Sequence, residues 1–102
     1  MSVTQERPHG DDRRVEQPHK AALLKRLSRI SGQTQGLARM VEEDRYCVDI
    51  LVQVSAVRAA LDQVAMQIVE DHTRGCVSRA IQAGGGDAAI AELMEVVRKW
   101  AK

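Results

Sequence analysis

The sequence predicts an all-α protein, a three-helix protomer with one long central helix. Three observations lead there. Apolar residues from Leu23 to Trp100 recur at spacings of three and four, the signature of one helical face. No stretch alternates apolar and polar residues as a half-buried strand would. Core volume has to come from Leu, Ile, Val, Ala and Met, because Tyr46 and Trp100 are the only aromatics among 102 residues and Phe is absent. A chain this small, with 44% hydrophobic residues and almost no aromatic rings, is expected to complete its core by pairing with further copies.

The elements follow in order. Residues 1–17, with Pro8, Gly10 and scattered charges, show no periodicity and read as a disordered tail ahead of a helical domain over residues 18–102. Pro18 suits a helix start, and Leu23, Leu27, Ile30, Leu37 and Val41 give one apolar stripe over about 19–43. Gly32 and Gly36 interrupt that helix at about 1 kcal/mol each relative to Ala, so they point to close helix contact or close approach of a ligand. The acidic turn Glu42-Glu43-Asp44 ends it. A second helix starts near Arg45 or Tyr46. Cys47, Ile50, Val54, Val57, Leu61, Val64 and Ile68 form a coiled-coil-like seam along it, and His72 and Cys76 continue the spacing. It is expected to reach Gln82, where Gly84-Gly85-Gly86 stops it. A short third helix over about 87–101, N-capped by Asp87, carries Ile90, Leu93, Val97 and Trp100 inward.

Composition excludes several classes. No apolar run approaches the roughly 20 residues of a membrane-spanning helix. Met1 to Gln17 contains no hydrophobic stretch of the secretory kind. Two cysteines do not make a disulfide scaffold, so the expected compartment is the reducing cytoplasm, where thiols stay available to metals or redox chemistry. The net charge is +1, but His19 to Met40 holds five basic residues and no acid, whereas Val41 to Lys102 holds seven basic and ten acidic ones. A basic segment on an acidic body points to an anionic partner or to a solvated basic face.

Cys47, His72 and Cys76 are the candidate soft-metal ligands. Positions four apart on a helix share a face, so His72 and Cys76 can point at one ion together. Cys47 lies 25 positions away, about 37 Å along a straight helix. Either the helix breaks or a second chain supplies the cysteine. Two copies of the long helix packed antiparallel about a two-fold axis would bring Cys47 of one level with His72 and Cys76 of the other, giving two equal sites and one ion per protomer. Two thiolates and an imidazole suit Cu(I); Zn would need a water or a fourth side chain such as His19. The plain alternative is a buried thiol pair and a satisfied polar His.

Several segments resemble the copper-sensitive operon repressor (CsoR) family: Leu24-Lys25-Arg26-Leu27, Gly32-Gln33, the run Arg39 to Leu51, Gln53 to Arg58, and Glu70-Asp71-His72 with Cys76 after it. The likeness covers about 22–97. It implies a bacterial repressor whose antiparallel helical dimers assemble as a dimer of dimers. The apo form of such a repressor binds operator DNA, and Cu(I) at a shared Cys-His-Cys site releases it, derepressing copper-export genes. The ligand positions fall on Cys47, His72 and Cys76. Tyr46 and Glu92 match positions the family places around the metal-bound His, where a carboxylate often takes up the second ring nitrogen. Nickel/cobalt and formaldehyde sensors of the family lack the second Cys, and persulfide sensors keep both Cys without the intervening His. A persulfide or thiol-redox repressor of the same fold is therefore the alternative. His9 and His19 are possible extra ligands.

No helix-turn-helix, finger or ribbon motif is present. Lys25, Arg26, Arg29, Gln33 and, from the second helix, Arg58 are the candidate DNA contacts, through phosphates and DNA shape. Each arginine could instead pair with a neighbouring acid. An enzyme is not expected, since no Gly-rich nucleophile turn or oxyanion-hole signature accompanies Cys and His. The expected partners are operator DNA and further copies of the chain, with no membrane and no small-molecule substrate.

Overall fold

The structure is a computed structural model that describes residues 14–100. Most of the expected tail, including His9, lies outside the described residues, as do residues 101–102. Helix α1 (Lys20–Glu42) and helix α2 (Cys47–His72) form an antiparallel hairpin. A π-helical turn (Thr73–Val77) and the short helix α3 (Ser78–Gln82) continue α2, and α4 (Gly86–Trp100) folds back against that continuation. No strand occurs among the described residues.

α1 ends as a helix ends before a glycine, but without one. The Arg45 N–H donates to Met40 O at 3.0 Å and the Asp44 N–H to Val41 O at 3.2 Å, the paired bonds of a Schellman close, with Asp44 left-handed at φ 56°. α3 closes in the same way around Gly84 at φ 86°, with Gly85 N–H to Ala80 O at 2.7 Å and Gly84 N–H to Ile81 O at 3.1 Å. The glycine stop expected after Gln82 is thus present. Asp87 does not cap α4, because the helix already begins at Gly86 and Asp87 stands in its first turn. There its carboxylate still favours the helix dipole.

The long helix reaches Gln82 as expected, with one difference. Thr73, Val77 and Ser78 keep right-handed helical backbone angles, but the hydrogen bonding widens to a π turn around Gly75. The Thr73 hydroxyl donates to Val69 O at 2.9 Å where α gives way to π.

The core of the single chain is thin. Leu23, Ile30 and Val64 are buried together, with Val57 and Ala60 packed on them, and Val77 is buried separately in the π turn. The expected seam on α2 splits. Val57 and Val64 face α1, whereas Val54, Leu61 and Ile68 are exposed together with Leu51 and Val52. α2 is therefore apolar around much of its circumference, the pattern of a helix meant to be covered on more than one side. Leu27, Val41, Ile90 and Trp100, expected inside, are exposed in the protomer. Gly32 has nothing within 4 Å of where a Cβ would stand, and Gly36 meets only the Arg39 side chain, so neither makes a close helix contact within the chain. Gly86 does: a Cβ there would lie 2.6 Å from Ile81 Cγ1, so α4 can approach α3 this closely only with glycine.

Candidate metal site and basic groove

His72 ends α2 and Cys76 sits in the π turn, both half-buried. They are brought together as the spacing expected, although through π rather than α geometry, a distortion that recurs at functional sites. The pair stands between two concavities. On one side, a cleft of about 280 Å³ is walled by Ala80, Gly85, Ala88, Ala89 and Glu92, which brings Glu92 of α4 to the same place. On the other, about 300 Å³ lies beneath Val15, Glu16, Gln17 and Pro18, the segment leading into α1. The Arg79 guanidinium donates toward Cys76 Sγ at 3.8 Å, a cation beside the sulfur that would carry charge as a ligand.

Cys47 is elsewhere. It opens α2 and is exposed, and Tyr46 before it is 70% exposed in the N-cap position. They are the first and last residues of an unbroken 26-residue α-helix, so about 37 Å separates Cys47 from His72. The possibility that α2 breaks to close the site within one chain is therefore removed. Among the described residues, no three His, Cys, Asp or Glu side chains come close enough to hold an ion.

His19 occupies the N-cap position of α1 but makes no side-chain cap; its ring turns to α2 instead. Nδ1 lies 3.0 and 2.9 Å from the two carboxylate oxygens of Asp71, so this nitrogen carries the proton and donates. The Gln67 amide donates to the same carboxylate at 3.1 Å. Sequence reasoning passed over Gln67, Asp71, Arg79 and Gln63. The readable signal was the four-residue spacing of Gln63, Gln67 and Asp71, a polar line along an otherwise apolar helix.

Lys25, Arg26, Arg29 and Gln33 line one groove of about 440 Å³ between α1 and α2, with Ala22, Ile30, Ala60 and Gln63. The Arg26 guanidinium donates from Nη1 to Gln63 Oε1 at 2.8 Å. Arg58 is exposed on α2 and does not line this groove. None of Lys25, Arg26, Arg29 and Arg58 forms an ion pair with a described residue, so the salt-bridge alternative has no partner there. Three cations and the Gln33 amide line one groove whose walls hold no acid, so the field in it is positive.

Comparison with known proteins gives the arrangement its context. A family model for metal-sensitive transcriptional repressors matches residues 19–99. The chain is 53% identical over 83 residues to the copper-sensing transcriptional repressor CsoR of Bacillus subtilis, spanning 81% of this chain and 82% of that protein. It is 46% identical over 77 residues to the copper-sensing transcriptional repressor RicR of Mycobacterium tuberculosis, with 74% and 80% covered. Among solved structures, the Cu(I)-bound copper-sensing repressor CsoR of Geobacillus thermodenitrificans superposes with a TM-score of 0.78 at 47% identity, covering 90% of this chain and 95% of that one. The nickel-responsive transcriptional regulator InrS superposes at 0.68 with 42% identity, covering 83% and 96%. The helical hairpin, the hooked fourth helix and these likenesses agree: the chain is no enzyme, and it belongs to the CsoR family of metal-sensitive transcriptional repressors.

Proposed function

We propose that this protein is a cytoplasmic Cu(I)-responsive repressor. In its metal-free form it holds operator DNA on the basic groove of α1. It lets go when Cu(I) joins Cys47 of one protomer to His72 and Cys76 of another, one ion per protomer, and copper-export genes are then derepressed. The observation that carries this reading is the division of the donor set: a half-buried His-Cys pair at one end of a straight 26-residue helix and an exposed Cys at the other. Antiparallel pairing of two such helices would complete both sites at once and cover Val54, Leu61 and Ile68, the open half of the α2 seam. Two thiolates and one imidazole match the softness of Cu(I), and the names of the relatives favour copper over the nickel of the more distant neighbour. No helix among the described residues is long and apolar enough to cross a membrane.

The chain's own residues divide the work. His72 and Cys76 present one imidazole nitrogen and one sulfur; Arg79 steadies the sulfur. Glu92 lines the same cleft and would take up the second ring nitrogen of His72, tying α4 to the site. Tyr46 precedes Cys47 and would arrive at that cleft with it. Lys25, Arg26, Arg29 and Gln33, with Arg58 outside the groove, supply phosphate contacts, repeated across a homodimer and its pairing into a tetramer. Removing Lys25 or Arg29 is expected to weaken DNA binding for all sequences and to lower the salt slope by about 1 for each phosphate no longer neutralised.

The test is an anaerobic Cu(I) titration of reduced protein against a strong competing chelator, with Cys47→Ala and His72→Ala in parallel. Tight binding near one ion per chain, lost in Cys47→Ala and weakened in His72→Ala, is expected. Weak binding indifferent to both changes would contradict the reading. Inorganic polysulfide, a sulfane-sulfur donor, that turned one cysteine into a persulfide, resolved by the other to a disulfide with release of H2S, and abolished DNA binding, without a reversible Cu(I) response, would favour the persulfide alternative.

A further inference from the structure

Gln63, Gln67 and Asp71 stand at four-residue intervals on α2, so they form one line along a single face. Every member has a partner or a neighbour on that line. Gln63 accepts from Arg26 at 2.8 Å, Gln67 donates to Asp71 at 3.1 Å, and Asp71 holds His19 through both oxygens at 3.0 and 2.9 Å. The two α1 partners, His19 and Arg26, are seven positions apart, two turns of the same face. The line therefore clasps α1 to α2 at two points, on either side of the buried Leu23.

Its two ends are informative. Asp71 is the residue next to His72 and lies on the wall shared with Cys76 and Arg79. Its side chain is only 6% exposed, whereas the His19 ring it holds is 53% exposed, so the clasp is anchored firmly on the α2 side and open to water on the α1 side. At the other end, Gln63 and Arg26 both line the basic groove. α4, which Glu92 would tie to the metal, carries none of that groove; α1 carries most of it, including Lys25, Arg26, Arg29 and Gln33.

We propose that this polar line is the mechanical link between the metal end of α2 and the DNA face of α1. His19 and Asp71 are its positioning residues. A shift of the last turn of α2 at His72 displaces Asp71, drags the first turn of α1 through His19, and re-aims Arg26 through Gln63. Neither residue belongs to the Cys47, His72 and Cys76 set or lines the groove; the His19 ring, a possible fourth ligand by sequence, is turned to Asp71 instead. The inference rests on the Cu(I)-repressor reading given above.

The test uses the full-length protein and a duplex selected by the metal-free wild type from a randomised pool of short duplexes. DNA dissociation constants are measured by anisotropy with and without one equivalent of Cu(I), for wild type, His19→Ala, Asp71→Asn and the double variant. The readout is the ratio of the two constants, the coupling, which a purely structural defect common to both states would not move. Metal-free DNA affinity is expected within about threefold of wild type, and Cu(I) affinity unchanged by chelator competition. The coupling should fall by about tenfold, out of a usual range of about 5–150-fold, in either single variant. The double variant should fall no further than the singles, because both changes cut one link. Full coupling in both single variants overturns the link and leaves the proposed function standing. Lost Cu(I) affinity in either variant also overturns it, because the residue would then serve the ligand set. A wild type that shows no Cu(I)-dependent release removes the proposed function, and this inference with it.

Discussion

The two ends of α2 are opposites. At the His72 end, a half-buried imidazole and thiol sit between the segment leading into α1 and the fourth helix, with Arg79, Asp71 and Glu92 close by. At the Cys47 end, the thiol and the tyrosine before it stand exposed. The proposed function makes one end a receptacle and the other an insert. The difference makes sense when one end is filled by the other end of a second copy, which would also cover the apolar residues that the thin core leaves outside.

The largest effects should come from breaking the receptacle or the insert. Cys47→Ser and Cys76→Ser each remove a thiolate, and Cu(I) affinity should fall by more than the roughly 10–100-fold that loss of a supporting residue costs a metal site. Chelator competition would check this. Equal losses from the two ends would show that both serve one site, whereas an unaffected Cys47→Ser would separate them.

Next comes the packing that shapes the receptacle. Gly86→Ala sets a Cβ 2.6 Å from Ile81 and pushes α4 away from the His72 end, at an expected cost of about 1–3 kcal/mol in thermal or denaturant unfolding. Gly32→Ala, with open space around it, should instead stabilise α1 by about 1 kcal/mol. A destabilised Gly32→Ala would mean that a second copy closes on that face.

The helix closes sharpen the contrast further. Asp44 and Gly84 hold the same left-handed position, so Asp44→Gly should gain about 1 kcal/mol and Gly84→Ala lose about as much. The exposed pairs Arg74–Glu70 and Lys99–Glu95 should matter least; alanine at Arg74 or Lys99 should shift stability by no more than about 0.5 kcal/mol.

The helices and their order were legible because apolar periodicity, Pro18 and the triple glycine are local signals. The His72–Cys76 pairing was legible for the same reason. The grouping of Lys25, Arg26, Arg29 and Gln33 into one groove followed from their spacing along α1. What escaped was set by tertiary geometry. The π turn at Thr73–Val77 leaves no periodic mark. The clasp of His19 to Asp71 spans 52 positions. Trp100, Ile90 and Val41 read as core because they are apolar, yet a lone protomer has too few neighbours to cover them. The glycines of α1 point to close helix contact or close approach of a ligand, yet within the chain Gly32 meets nothing and Gly36 only the Arg39 side chain.

The central claim is that one site is built from two chains. Two differently tagged chains, Cys47→Ser and Cys76→Ser, are co-expressed, and the mixed oligomer is purified through both tags. Neither parent should bind Cu(I) tightly. In the mixed species the intact Cys47 of one chain meets the intact His72 and Cys76 of the other, so the account predicts one tightly held Cu(I) per unlike pair. A mixed oligomer as empty as its parents would contradict it.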